Sequence, residues 1–293
     1  MKTSVLALLF ACIQLPLHAD KLPKDFVAIP ATNGIAAFYM AKFPVTNAQY
    51  AKFLAENPDI RPPQYWKNGT FPKGKAKHPV VYISYYDAKA YCEWMTAKTP
   101  GFSFRLPTME EWEYAAGGKE GYQAYPWGDN KMDDCFNYNA HVARVYLKQN
   151  PIVTYVHERS SQKGQKMRLS DVIQIQPNGS ISGWNNHRDH TGFVYTDLYK
   201  KLMEEGGYTT PVDAYPKGKS SFGIFDMSGN TWDWTSSTIT ATNGAERGLE
   251  VQAVKGGSWY AMSRSCRIDM RGEGRRPGVG YHTIGFRLVA DKK

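Results

Sequence analysis

The first residues that could do chemistry are a thiol among cations and a pair of imidazoles beside a carboxylate. Cys266 follows Arg264 by two positions and precedes Arg267 by one. Guanidinium groups aimed at a thiol favour its thiolate, the nucleophilic and metal-binding form. Cys266 is therefore a candidate redox thiol, and equally a small hydrophobe buried beneath the last strands. His187-Arg188-Asp189-His190 places two imidazoles and a carboxylate in consecutive positions. Those are zinc or iron ligand types, although a solvated loop has the same composition. Arg264, Arg267, Arg271, Arg275 and Arg276 crowd one region with only Asp269 and Glu273 among them. Such a run could hold an acidic peptide, a siderophore precursor or an anionic glycan. It could also be spent on carboxylates and aromatic faces.

Composition bounds the scaffold that must carry these groups. The chain has 293 residues, 42 % hydrophobic and 14 % aromatic, enough for a real core. Four cysteines exclude a disulfide-built scaffold. A net charge of +9 speaks for solubility and steering of anions, and no nucleic-acid-binding motif accompanies it. The only long apolar run is N-terminal: Lys2, then Val5 to Leu15, then Leu17-His18-Ala19. It predicts a signal peptide over 1–19 and no stable membrane span, with a mature chain that begins near Asp20 outside the cytoplasm, in the periplasm. Export leaves Cys92, Cys135 and Cys266, an odd number. Cys92 reads as a buried hydrophobe on a helix, while Cys135 and Cys266 could pair or stay free.

Local patterns predict an α+β chain with much irregular structure. Phe26 to Pro30 and Ile35 to Phe43 read as strands around a turn at Asn33-Gly34. Helix starts follow at Thr46-Asn47-Ala48-Gln49, Ser84-Tyr85-Tyr86-Asp87 and Thr108-Met109-Glu110-Glu111, each a capping box, and Gly117-Gly118 ends the third helix. Lys255 to Trp259 and Gly285 to Val289 read as closing strands. Trp184, Trp232, Trp234 and Trp259 sit in loop-like sequence, so something must pin those loops: metal ions, disulfides or Asx hydrogen bonds.

An ordered set of segments resembles the formylglycine-generating enzyme (sulfatase-modifying factor) superfamily. They are Phe43 to Asn47, Arg105 to Thr108 with Glu111 to Ala116, Tyr125 to Gly128, Phe222 to Trp234, Gly256 to Trp259, and Gly285 to Arg287. The resemblance spans roughly residues 25–290 apart from one long insert at about 140–210. It implies a single domain over 20–293 with a C-type-lectin-like core and bound calcium. The superfamily holds copper-dependent oxidases that turn a sulfatase cysteine into formylglycine. It also holds exported proteins of siderophore maturation, sulfoxide synthases with an added iron domain, and non-catalytic display proteins, so fold alone does not settle function.

Carried over residue by residue, the two copper-binding positions of the oxidases fall on Ala261 and Cys266. Two thiolates suit Cu(I), and one alone is a poor site. Asn230, Thr231 and Asp233 match the calcium loop with an amide oxygen, a carbonyl and a carboxylate, with Asp where many relatives carry Glu; the alternative is an Asx turn. Asn137 matches half of a second calcium site. The insert carries His141, His157, His187 and His190 and falls where the family builds its substrate groove, so it is expected to reshape or cover that groove. The expectation is a monomeric, oxidase-like maturation factor for a peptide or peptide-derived small molecule. Cys266 is its expected reactive centre, Trp259 and Arg264 shape its groove, and copper or iron is its possible redox metal. The other reading is a non-catalytic binding protein on a lectin-like frame.

Overall fold

The computed structural model describes residues 21–293 except 33, 119–122, 150, 155–163, 169, 171–173, 176–180, 183–200, 202–203 and 243–245. The predicted signal peptide lies outside the described residues, as do His157, Trp184, His187, Asp189 and His190.

Among the described residues, capping chemistry starts three α-helices where the sequence predicts. α1 (Asn47–Glu56), α2 (Tyr85–Lys98) and α3 (Met109–Gly117) follow Thr46, Ser84 and Thr108, each in a complete capping box. In the third box the Glu111 amide donates to Thr108 Oγ1 at 3.1 Å, and the Thr108 amide donates to Glu111 Oε2 at 2.8 Å. Two otherwise orphaned donors are satisfied at once, worth about 1 kcal/mol per cap. Gly118 ends α3 at φ 69, a left-handed conformation that favours glycine. α4 (Asn139–Gln149) starts the stretch read from sequence as an insert.

Two four-stranded sheets hold the frame. The first comprises β1 (Phe26–Ile29), β2 (Phe38–Ala41) and β3 (Phe102–Arg105), with the C-terminal strand pairing antiparallel between β2 and β3. Four short strands follow in the insert, β4 (Ile152–Thr154), β5 (Lys166–Arg168), β6 (Gln174–Ile175) and β7 (Ile181–Ser182), forming two hairpin pairs. The second large sheet contains β8 (Trp232–Thr240), β9 (Glu250–Lys255), β10 (Gly274–Arg275) and β11 (Ile284–Gly285), in the order β10-β9-β8-β11. β12 (Val289–Lys292) is the strand that closes the first sheet.

The first predicted closing strand, Lys255 to Trp259, is corrected: the strand lies before it and shares only Lys255, while the second, Gly285 to Val289, is split. β9 stops at Lys255 because Gly256 and Gly257 take φ 102 and 76, turning the chain out of the ladder. The last segment is divided between β11 and β12 because Phe286-Arg287-Leu288 breaks it, with the Arg287 side chain fully buried. The core beneath α1 and α2 is aromatic. Tyr50 stacks on Tyr91 at 5.9 Å and meets Phe286 edge-on at 6.4 Å, pairs worth about 0.5–1.5 kcal/mol each beyond area burial. No helix among the described residues is long and apolar enough to cross a membrane.

Candidate functional site

Cys266 ends a short 3-10 turn, Ser263–Cys266, and has no exposed surface. A β-carbon built on Gly257 would lie 2.4 Å from its sulfur, so the glycine turn that ends β9 is pressed directly onto the thiol. Ser228 Oγ donates to the Cys266 carbonyl at 2.7 Å and fixes the turn. Burial pushes the thiol up to about 12, against the smaller opposing effect of backbone N–H groups of Ser258 and Gly229. The sequence expectation of an arginine-activated thiolate is thus corrected. Arg264 is exposed, and Arg267 turns to Asp269, with Nε 2.8 Å from Oδ1. Cys266 is a neutral thiol in an apolar cluster with Tyr125, Cys135, Phe136 and Tyr138, and Ala261 packs against that cluster. Cys92, Cys135 and Cys266 are all free and buried, so no disulfide joins Cys135 to Cys266.

Trp259 is also fully buried. Its ring contacts Tyr208, Tyr260 and His282 at centroid distances of 5.6, 5.3 and 6.0 Å. Gly207 covers it: an added β-carbon would lie 2.6 Å from Cζ2 and 2.9 Å from Nε1. Gly206 is pressed onto the Tyr65 ring in the same way, at 2.6 Å. The Gly206-Gly207 segment is therefore clamped between two rings and seals Trp259. Of the three predicted groove residues, two are interior and Arg264 is at the surface, so the three do not form one exposed constellation.

Asn230 works as a clasp. Its Oδ1 accepts from the Thr210 amide at 2.9 Å, and its Nδ2 donates to Asp226 Oδ2 at 2.8 Å and to the Thr210 carbonyl at 3.2 Å. The Asn230 amide donates to the Asn137 carbonyl, and the Asn230 carbonyl accepts from Trp259 N–H. A φ of 60 at Asn230 aims these groups in opposite directions, which asparagine tolerates better than most residues. Asp233 has a different task. Its Oδ2 accepts from Trp112 Nε1 at 2.9 Å and from Arg287 Nε at 2.5 Å. Arg287 donates its other groups to the carbonyls of Phe225 and Asp226.

These partners test the predicted metals. Asp233 shares its charge with a fully buried guanidinium, so it lacks the uncompensated charge that calcium needs, although its Oδ1 is buried without a partner. Asn230, Thr231 and Asp233 do not fit calcium as a set. Asp226 forms no ion pair with Arg287, whose guanidinium reaches its backbone carbonyl; burial pushes the carboxyl up to about 7, against the lowering effects of the Asn230 amide and the Arg287 charge. Copper(I) fares worse, since of the two positions the resemblance assigns to it one is an alanine, and a single buried thiol is a poor site. Among the described residues no group of three or more His, Cys, Asp and Glu converges to hold a metal ion.

The arginine run follows the structural alternative. Arg275 pairs with Glu273 at 2.8 Å, Arg276 with Glu246 at 3.1 Å, and Arg271 Nε donates to Glu113 at 2.9 Å. Glu113 also receives the Lys255 ammonium at 2.8 Å. Two of these carboxylates come from distant segments that the local reading did not count.

One cluster has no forerunner in the sequence reading. Lys75 is 9 % exposed and donates to the Gly207 carbonyl at 3.1 Å and to Thr209 Oγ1 at 3.3 Å. His78 Nδ1 lies 3.0 Å from the same hydroxyl. Burial lowers Lys75 to about 8 and His78 to about 4, so the imidazole is neutral at physiological pH. No local signal marks Lys75, because its partners lie far along the chain. Asp226 did leave a signal, a carboxylate inside the apolar stretch Phe222 to Met227.

A lectin-like pair of sheets closed by β12, with a Gly-Gly-Ser-Trp turn beneath a clamped insert, defines a class of frame rather than one reaction. Residues 24–179 and 182–292 match the sulfatase-modifying factor enzyme 1-like domain, and the chain belongs to that family. Its relatives divide over activity. It is 24 % identical over 301 residues to the inactive C-alpha-formylglycine-generating enzyme 2 of Mus musculus, covering 87 % of this chain and 76 % of that one. It is 25 % identical to the formylglycine-generating enzyme of Bos taurus, covering 92 % and 70 %. It is 23 % identical to the hercynine oxygenase of Mycobacterium tuberculosis, covering 81 % of this chain and 49 % of that one. In fold it is similar to PvdO from Pseudomonas aeruginosa, with TM-score 0.52 and 20 % identity over 88 % of this chain and 81 % of that one. CarF gives TM-score 0.51 and 19 % identity, covering 88 % of each.

Proposed function

We propose that this protein is an exported, periplasmic, oxidase-like maturation factor for a peptide or peptide-derived small molecule, and that it does not convert a sulfatase cysteine to formylglycine. The supporting observation is the pairing of Ala261 with a sealed Cys266 inside an otherwise complete frame. Trp112, Asp233 and Arg287 bind one another in the core, while one of the two thiolate positions is an alanine. Oxidation by molecular oxygen is the reaction class of the family's oxidases, and here it does not run through a Cys266 thiolate. Calcium belongs to this proposal with Asp226 as its carboxylate in place of Asp233, because among the described residues Asp226 is a buried acid without an ion-pair partner.

The test offers a cysteine-containing peptide to the purified protein under oxygen and assays the product for an aldehyde. The expected result is none, with or without added copper. Aldehyde formation that requires Cys266 overturns the proposal. A second reading, a binding module without turnover, is favoured by the burial of both Cys266 and Trp259. Oxygen uptake in the presence of the periplasmic small-molecule fraction separates the two: uptake supports the maturation factor, and tight capture without uptake supports the module.

A further inference from the structure

A second feature is a cavity that Cys266 does not line. A cavity of about 300 Å³ lies between α4 and the returning end of the insert, in the volume range of small-molecule sites. Lys75 and Lys201 supply cations to its lining, and Val142, Val145 and Tyr208 supply apolar surface. Lys75 is the telling residue. Its ammonium is buried, yet its three hydrogen-bond partners, the Gly207 and Thr209 carbonyls and the Thr209 hydroxyl, are all neutral. Among the described residues no carboxylate forms an ion pair with it. Glu205, the acid that acts on it electrostatically, is ion-paired to Lys201 at 2.7 Å. Buried ammonium groups are normally paired, because desolvation without a counter-charge is costly. Val145, meanwhile, is 41 % exposed at the cavity although apolar.

We propose that this cavity binds a small organic carboxylate with an apolar or aromatic body, its carboxylate set against Lys75 and Lys201 and its body along Val142, Val145 and Tyr208. The inference stands apart from the proposed function and uses none of the residues at Cys266. An anionic head completes the charge that Lys75 lacks, in a site where a charge-assisted bond is worth roughly twice a neutral one. The apolar body covers Val145 and the Tyr208 ring, over which the Lys201 ammonium already sits at 5.4 Å. His141 is also in the lining, where burial lowers its imidazole from the ordinary value.

Calorimetry on the full chain at neutral pH tests this with three probes: phenylacetate, its neutral isostere phenylacetamide, and the cation phenethylamine. Phenylacetate is expected to bind one to one, at least about tenfold tighter than either of the others. Val145→Glu, at an exposed position of α4, is expected to weaken phenylacetate at least about tenfold while the unfolding temperature stays put. Binding is expected to fall as pH rises through about 8, where Lys75 loses its charge. Lys201, Glu205 and His78 are the other ionisable groups that bear on that nitrogen or its partners. The proposal is overturned if phenylacetamide binds as well as phenylacetate, if phenylacetate fails to bind at millimolar concentration, or if Val145→Glu leaves its affinity unchanged.

Discussion

Gly207 rests on the ring of Trp259, so close that a β-carbon on it would fall 2.6 Å from Cζ2. That contact joins the end of the insert to the turn that precedes Cys266, and it is why Trp259 is interior. Gly207 also has φ 82, which side-chain-bearing residues rarely adopt. Gly207→Ala is therefore expected to destabilise the fold by about 1–3 kcal/mol, through backbone strain and overpacking together. Its tryptophan emission should shift to the red as the clamp loosens and Trp259 meets water. Chemical denaturation followed by fluorescence measures both effects. Unchanged stability and emission would mean that the insert does not seal this ring.

The buried thiol has a direct chemical consequence. Cys266, held up to about 12 and without exposed surface, is expected to resist iodoacetamide in the native protein at neutral pH and to react fully in denaturant. Cys92, also held at about 12, should behave alike. Mass spectrometry of the alkylated peptides reads this residue by residue. Rapid native labelling of Cys266 would restore the activated-thiolate reading.

Asp233 and Arg287 form a pair in which neither side chain is more than 1 % exposed. Removing one partner strands the other charge in the core. Asp233→Ala is expected to cost about 3–5 kcal/mol, more than an exposed ion-pair loss, and to do so equally with calcium or with chelator present. Asp226→Asn, in contrast, should abolish any stabilisation by calcium. A thermal scan of each variant with and without chelator checks both. If Asp233→Ala rather than Asp226→Asn removes the calcium response, the ligand assignment is reversed.

Lys75 predicts a pH window. Burial lowers its folded-state value to about 8 from an ordinary 10.5. Between those values the unfolded chain holds a proton that the native chain has released, so this group's contribution to stability rises with pH across the window. Below about 8 the native state carries the desolvated charge and the contribution is lost, a difference of up to about 3 kcal/mol. The stability of wild type relative to Lys75→Met should thus climb from pH 8 to 10.5. A flat difference in urea midpoints across that range counts against a buried ammonium. His78 acts on the acid side: lowered to about 4, its contribution is present above its ordinary value of 6.5 and fades as pH falls toward 4.

The parts of the fold legible in the sequence were those with local causes. Thr46, Ser84 and Thr108 declare their helices because the capping residue and its partner lie three positions apart. Gly118 declares the end of α3 for the same reason. What sequence could not show is which distant group each polar side chain meets. Arg287 and Asp233 are far apart along the chain, so Asp233 resembled a calcium ligand until its guanidinium partner was in view. Arg264 and Arg267 looked like activators of Cys266, yet one faces solvent and the other turns to Asp269. The arginine run looked like an anion site because Glu113 and Glu246 lie elsewhere in sequence. Lys75 carried no local mark at all.

In the proposed account Ala261 and Cys266 stand where the family's oxidases hold copper, and the alanine alone forfeits the site. Copper(I) stoichiometry on wild type, Ala261→Cys, and Ala261→Cys with Cys266→Ser tests it most directly. Ala261 packs against the cluster that holds Cys266, so the restored side chain enters the sulfur's own surroundings. The account predicts no stoichiometric copper on wild type, close to one per chain on Ala261→Cys, and loss again in the double variant. One copper per chain on wild type, removed by Cys266→Ser alone, would contradict it.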